Sequence, residues 1–140
     1  MSFKVDITKV FTLILIHDLC EIYAGDTFAY RTEHKDHERE QEATEKLVAL
    51  LLPDLEIALL NDWKEFTFGS SPEARSARAL DRMQALAQTV MSSGRTWKEQ
   101  GVTEALSWEL NREVLNLDPV VTEIFERLYQ RAAEENLWSS

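Results

Sequence analysis

The chain has 140 residues, 44% of them hydrophobic, and a formal net charge of −10. That length buries one core of real size, and four glycines and three prolines are too few for a disordered chain or a turn-rich all-β fold. The acidic balance excludes binding nucleic acid or an anionic membrane through a broad basic surface; an anionic substrate would need a local source of positive charge, such as a metal ion.

A single cysteine, Cys20, excludes an intrachain disulfide. Lys4 and Lys9 ahead of Val10–Ile16 look like the opening of a signal peptide, but Asp6 intrudes, and His17-Asp18 stand where a small-residue cleavage site would be needed. No run approaches the roughly 20 apolar residues that span a bilayer. The expectation is a cytoplasmic protein, one domain over residues 1–140.

In chain order, Asp6 is placed to cap a helix from Ile7 to Ala24, with Gly25 as its terminating residue. Ile7, Val10, Phe11, Ile14, Leu15 and Leu19 recur at helical spacing while Leu13, Ile16 and Ile22 fill the other side, which predicts a central helix with neighbours on most faces. Residues 27–33 read as a loop. A helix over 35–52 carries its acids early, as the macrodipole prefers. Pro53 ends it and opens another helix to about Phe66. A serine cap, Pro72 and Gly94 bracket a helix over about 72–92. A loop around Trp97 follows, then a helix from Thr103 to about Leu115 and a last one from Asp118-Pro119 to about Glu135. Five or six helices and no strand predict an all-α bundle.

The chemistry concentrates in "LILIHDLCEIYAGD". Ionisable groups buried in so apolar a segment cost several kcal/mol unless they are paired or metal-bound. On a helix, Glu21 lies one turn beyond both His17 and Asp18. Imidazole nitrogen and carboxylate oxygen are good ligands for Mn, Fe, Co, Ni or Zn. The plainer alternative is a solvated His-Asp pair. Cys20 is better read as a small core residue than as a ligand, and Asp26 after Gly25 as a turn cap. His34 and His37 fall in the polar stretch "RTEHKDHERE", a solvated face. Trp63, Trp97, Trp108 and Trp138 are expected to fill gaps between helices or a dimer interface.

"LIHDLCEIYAGDTFAY", followed by "REQEATEKLVALLLP" and "ARALDRMQ", closely resembles the HD-domain metal-dependent phosphohydrolases, nearest to the 5′-deoxynucleotidase-like branch. The resemblance runs over most of the chain. It implies an HD-domain-like helical bundle and carries roles onto matching residues: His17, Asp18 and Asp81 as metal ligands, Glu21 as the carboxylate beside the catalytic water (with Asp18 sharing in catalysis), and Asp26 near the substrate sugar. The cofactor implied is a divalent ion, one of Mn, Co, Fe, Ni, Zn or Mg. The activity implied is release of phosphate from nucleoside 5′-monophosphates or a similar phosphomonoester by attack of metal-activated water. Beside this, Ala74, Ala77, Asp81 and Ala85 share one helical stripe, although a surface pair with Arg78 is the plainer reading of Asp81.

The resemblance also implies a fourth ligand, a histidine on an earlier helix, with no counterpart here. The chain is therefore expected to be an N-terminally shortened form whose central helix exposes apolar surface, covered in a homodimer or higher homo-oligomer. The alternative function is a catalytically impaired remnant serving as a metal-binding or dimerisation module.

Overall fold

The computed structural model describes residues 4–25, 30 and 34–139, with the side chains of 20 and 34–37 left undescribed. Every regular element among them is helical, which meets the all-α expectation. Asp6 caps α1 (Ile7–His17), its carboxylate accepting from the amides of Thr8 and Lys9 at 2.9 and 3.2 Å.

The predicted helix to Ala24 is broken. At Asp18–Cys20 the chain tightens into a 3-10 turn and resumes as α2 (Glu21–Ala24). At the break the His17 ring lies 2.7 Å from the Ile14 carbonyl oxygen, and the Asp18 amide bonds to Ile16 rather than four residues back. Gly25 closes the segment with φ +74°, a conformation that glycine adopts without steric cost.

Next comes α3 (His34–Val48), which stops short of the expected residue 52. Pro53 forces Leu52 into extended backbone, φ −65° and ψ 146°, so residues 49–52 make a corner rather than another turn of helix. The helix that Pro53 opens, α4 (Pro53–Phe68), runs two residues past its expected end at Phe66. Ser71 then caps α5 (Pro72–Met91), its Oγ accepting from the Ala74 amide at 3.0 Å.

Where a loop was expected around Trp97 there is a short helix, α6 (Arg95–Gln100), bracketed by Gly94 and Gly101, both left-handed. The last two, α7 (Glu104–Leu115) and α8 (Pro119–Glu134), start where predicted, capped by Thr103 and Asp118.

The contacts divide the chain into two compact units, one of Val5–Ala77 and one built on Arg78–Ser140, the boundary falling inside α5. In the first, α1 packs on α4, while α3 packs on α2, the 3-10 turn and α4. Its core brings Trp63 and Ala43 together with Ile16 and Ala24. Lys9 on α1 ties α4 by ion pairs to Asp62 and Glu65, at 2.5 and 2.9 Å. The predicted burial of α1 on most faces is corrected: Val10 and Leu13 are fully buried, but Ile7, Phe11 and Leu15, one to each successive turn, are 54%, 57% and 69% exposed.

In the second unit Trp97 stacks on Trp138, Trp138 on Tyr129 and Tyr129 on Trp108, with centroids 4.0, 5.5 and 4.4 Å apart. Tyr129 also carries a buried polar cluster, its hydroxyl 2.8 Å from Ser107 Oγ and accepting from Asn111 Nδ2 at 3.1 Å. Two of the four tryptophans, Trp63 and Trp97, are 1% exposed, as gap-filling requires.

Candidate metal centre

The site is built where α1 ends. His17 Nδ1 sits 2.7 Å from the Ile14 carbonyl oxygen. A carbonyl only accepts, so Nδ1 carries a hydrogen and donates. In the neutral ring that leaves Nε2 with its lone pair, and Nε2 lies 3.1 Å from Asp18 Oδ1. Nε2 and Oδ1 thus form one small patch of a nitrogen and an oxygen donor that a single cation can touch together.

The donor set fits a divalent ion. Two ligand atoms each about 2.1 Å from an ion and at right angles are roughly 3 Å apart, the separation Nε2 and Oδ1 already have. A ligating histidine typically donates its other ring N–H to a carbonyl or carboxylate, which fixes the tautomer; Ile14 supplies that carbonyl. Exposure grades across the pair, 17% for the His17 side chain and 63% for Asp18, so the imidazole is held in the fold while the carboxylate reaches solvent.

Phe66, on α4, stacks on the imidazole with centroids 3.9 Å apart and planes at 21°. Sequence reasoning placed Phe66 only near the end of a helix. Its three-residue spacing from Trp63 marks a shared buried face, but nothing in the sequence pairs it with His17.

The break in the helix alters the predicted patch. Residues three apart eclipse in a 3-10 turn, so Glu21 stands in line with Asp18 rather than equally above His17 and Asp18. Glu21 is half-buried and opens α2. Asp81 is half-buried on α5 and belongs to the second compact unit. Asp26 lies outside the described residues, as do the side chains of Cys20, His34 and His37. Among the described residues, no group of three or more His, Cys, Asp or Glu side chains is arranged to hold a metal ion. The structure thus brings together His17 and Asp18, two of the predicted residues.

The sequence profile of the HD domain matches residues 1–118. The chain belongs to the HD domain family. Among its relatives are the 5′-deoxynucleotidase HDDC2 of Bos taurus and of Homo sapiens, each 35% identical over 78 residues, covering 54% of this chain and 38% of the relative. This HD-domain chain therefore matches less than half the length of those relatives. A crystal structure of a predicted metal-dependent phosphohydrolase from Magnetospirillum magnetotacticum superposes with a TM-score of 0.88 at 34% identity, covering 97% of this chain and 69% of that one. No helix among the described residues is long and apolar enough to cross a membrane.

Proposed function

We propose that the chain is a metal-dependent phosphohydrolase that releases phosphate from nucleoside 5′-monophosphates or a similar phosphomonoester. The observation that carries the reading is the His17–Asp18 pair, in which a ring fixed by Ile14 presents Nε2 beside Asp18 Oδ1 at metal-ligand spacing. The similarity to 5′-deoxynucleotidases supports the substrate class.

His17 and Asp18 would hold the ion. A divalent ion so bound supplies positive charge to the phosphate and makes water a stronger acid. Glu21, aligned with Asp18 by the 3-10 turn, accepts a proton from the attacking water as its oxygen bonds to phosphorus. The P–O bond to the sugar breaks, the 5′-oxygen takes a proton from solvent and Glu21 returns its own to solvent, giving nucleoside and inorganic phosphate. Asp26 is assigned to the sugar side of the substrate.

The test is phosphate release over a panel of deoxynucleoside and ribonucleoside monophosphates, after EDTA dialysis and again after adding back Mn²⁺, Co²⁺ or Mg²⁺. Activity is expected only with metal. Glu21→Gln is expected to lower kcat by roughly 10²- to 10⁴-fold while metal still binds, and Asp18→Asn to weaken metal binding itself. Full turnover by Asp18→Asn, or in EDTA, would overturn the reading.

A second reading, a metal-binding or dimerisation module without turnover, draws on the exposed Ile7, Phe11 and Leu15 along α1. Stoichiometric metal with no phosphate release from any substrate in the panel would favour it.

A further inference from the structure

We infer that Phe66 is a positioning residue that sets the plane of the His17 imidazole for metal binding. The inference rests on the reading of His17 and Asp18 as ligands. The torsion that turns an imidazole about its bond to Cβ is broad, with no sharp staggered minimum, so its orientation has to come from what the ring touches. The bond from Nδ1 to the Ile14 carbonyl, at 2.7 Å, pins one ring atom. A ring pinned at one atom can still tilt about it and swing Nε2 away from Asp18. A flat surface against the ring removes that tilt, and Phe66 provides one, 3.9 Å away and within 21° of parallel.

The surface is itself packed into the core. Phe66 is 8% exposed and shares the buried face of α4 with Trp63, which packs against Ala43, Ile16 and Ala24. On the same helix, Asp62 and Glu65 are held by Lys9 of α1, so the helix carrying Phe66 is anchored to the helix carrying His17.

The stacking also discriminates between states of the ring. The face of a phenyl ring is electron-rich, and an imidazole bonded to a cation is electron-poor. The contact is therefore more favourable when His17 holds metal than when it does not, by the attraction that draws cations to aromatic faces. A leucine of similar bulk would fill the space but supply neither the plane nor the electron-rich face.

The experiment compares Co²⁺ affinity, by competition with a chelating dye, in the metal-free full chain and in Phe66→Leu, Phe66→Tyr and His17→Ala, with urea unfolding of each as a control for the fold. Phe66→Leu is expected to bind Co²⁺ roughly 10- to 100-fold more weakly, the range typical of outer-shell partners of a ligating histidine, and Phe66→Tyr to restore wild-type affinity. Imidazole ¹⁵N shifts of the metal-free protein in mildly alkaline solution give a second readout. One Nδ1–H tautomer is expected in the wild type and a mixture in Phe66→Leu. Should Phe66→Leu fail to fold, Phe66→Met takes its place in both measurements. If Phe66→Leu binds as tightly as the wild type while His17→Ala binds poorly, Phe66 is only a core residue and the inference falls. If His17→Ala binds as tightly as the wild type, the ligand reading falls first and takes this inference with it.

Discussion

The imidazole of His17 donates to the carbonyl oxygen of Ile14, three residues back, at 2.7 Å. That contact fixes the tautomer of His17, and the helix breaks at the next residue. The residue types for metal chemistry were legible in the sequence, because a histidine and an acid at the end of an apolar run demand compensation. The break at Asp18 was not, since the periodic pattern continues through residue 22 and reads as one helix. Away from the site, the Lys9 tether gives a prediction. Its ammonium is pushed above the ordinary 10.5 by hydrogen bonds to Asp62 and then Glu65, and Glu65 is lowered below 4.5 by hydrogen bonds from Lys9 and then Ser71. The raised lysine contributes stability below pH 10.5 that is lost as pH climbs through its folded value. The lowered glutamate contributes stability above pH 4.5 that is lost as pH falls through its own. With side chains 19% to 33% exposed, the tether is worth about 1 kcal/mol at most. Urea unfolding of Lys9→Met across pH should show its deficit between those limits and converge on the wild type outside them.

Among the elements, starts were easier to read than ends. Asp6, Thr103 and Asp118 accept the amides expected of caps, because a cap is a local bond between neighbours in sequence. Ends depend on where the chain must go next. The leucines at 50–52 continue the apolar pattern of α3, yet the proline that follows turns them into a corner and leaves Leu50 and Leu52 each 72% exposed. The helix around Trp97 was hidden by its brevity and its polar composition; what forms it is the pair of left-handed glycines at its ends and the stacking of Trp97 on Trp138. Gly94 is constrained twice, by φ +64° and by Leu137, whose carbonyl oxygen and Cβ a side chain at 94 would strike. Gly94→Ala should therefore destabilise the protein by about 2 kcal/mol or more, read as a lower urea midpoint with an unchanged slope.

At the scale of the whole molecule, composition and periodicity sufficed for an all-α chain, and the order of its motifs for the family. The pairing of α1 with α4 that brings Phe66 to His17 was not legible, because contacts distant in sequence leave no mark in local spacing. The prediction of one domain meets a contact pattern with two compact units, and the aromatic rings offer a way to observe them separately. Indoles stacked 4.0 Å apart, as Trp97 and Trp138 are, couple their strong far-ultraviolet transitions and split that band of the circular dichroism into lobes of opposite sign. That couplet reports on the unit built on Arg78–Ser140, whereas Trp63 emits from Val5–Ala77. The emission of Trp63 is isolated as the difference between the wild type and Trp63→Phe, which separates the two signals. If the chain folds as one cooperative domain, the couplet and the Trp63 emission should vanish at the same temperature; two midpoints would mean that the unit of Val5–Ala77 melts on its own. The stack that closes the C-terminal end thus turns the chain into its own two-channel optical thermometer.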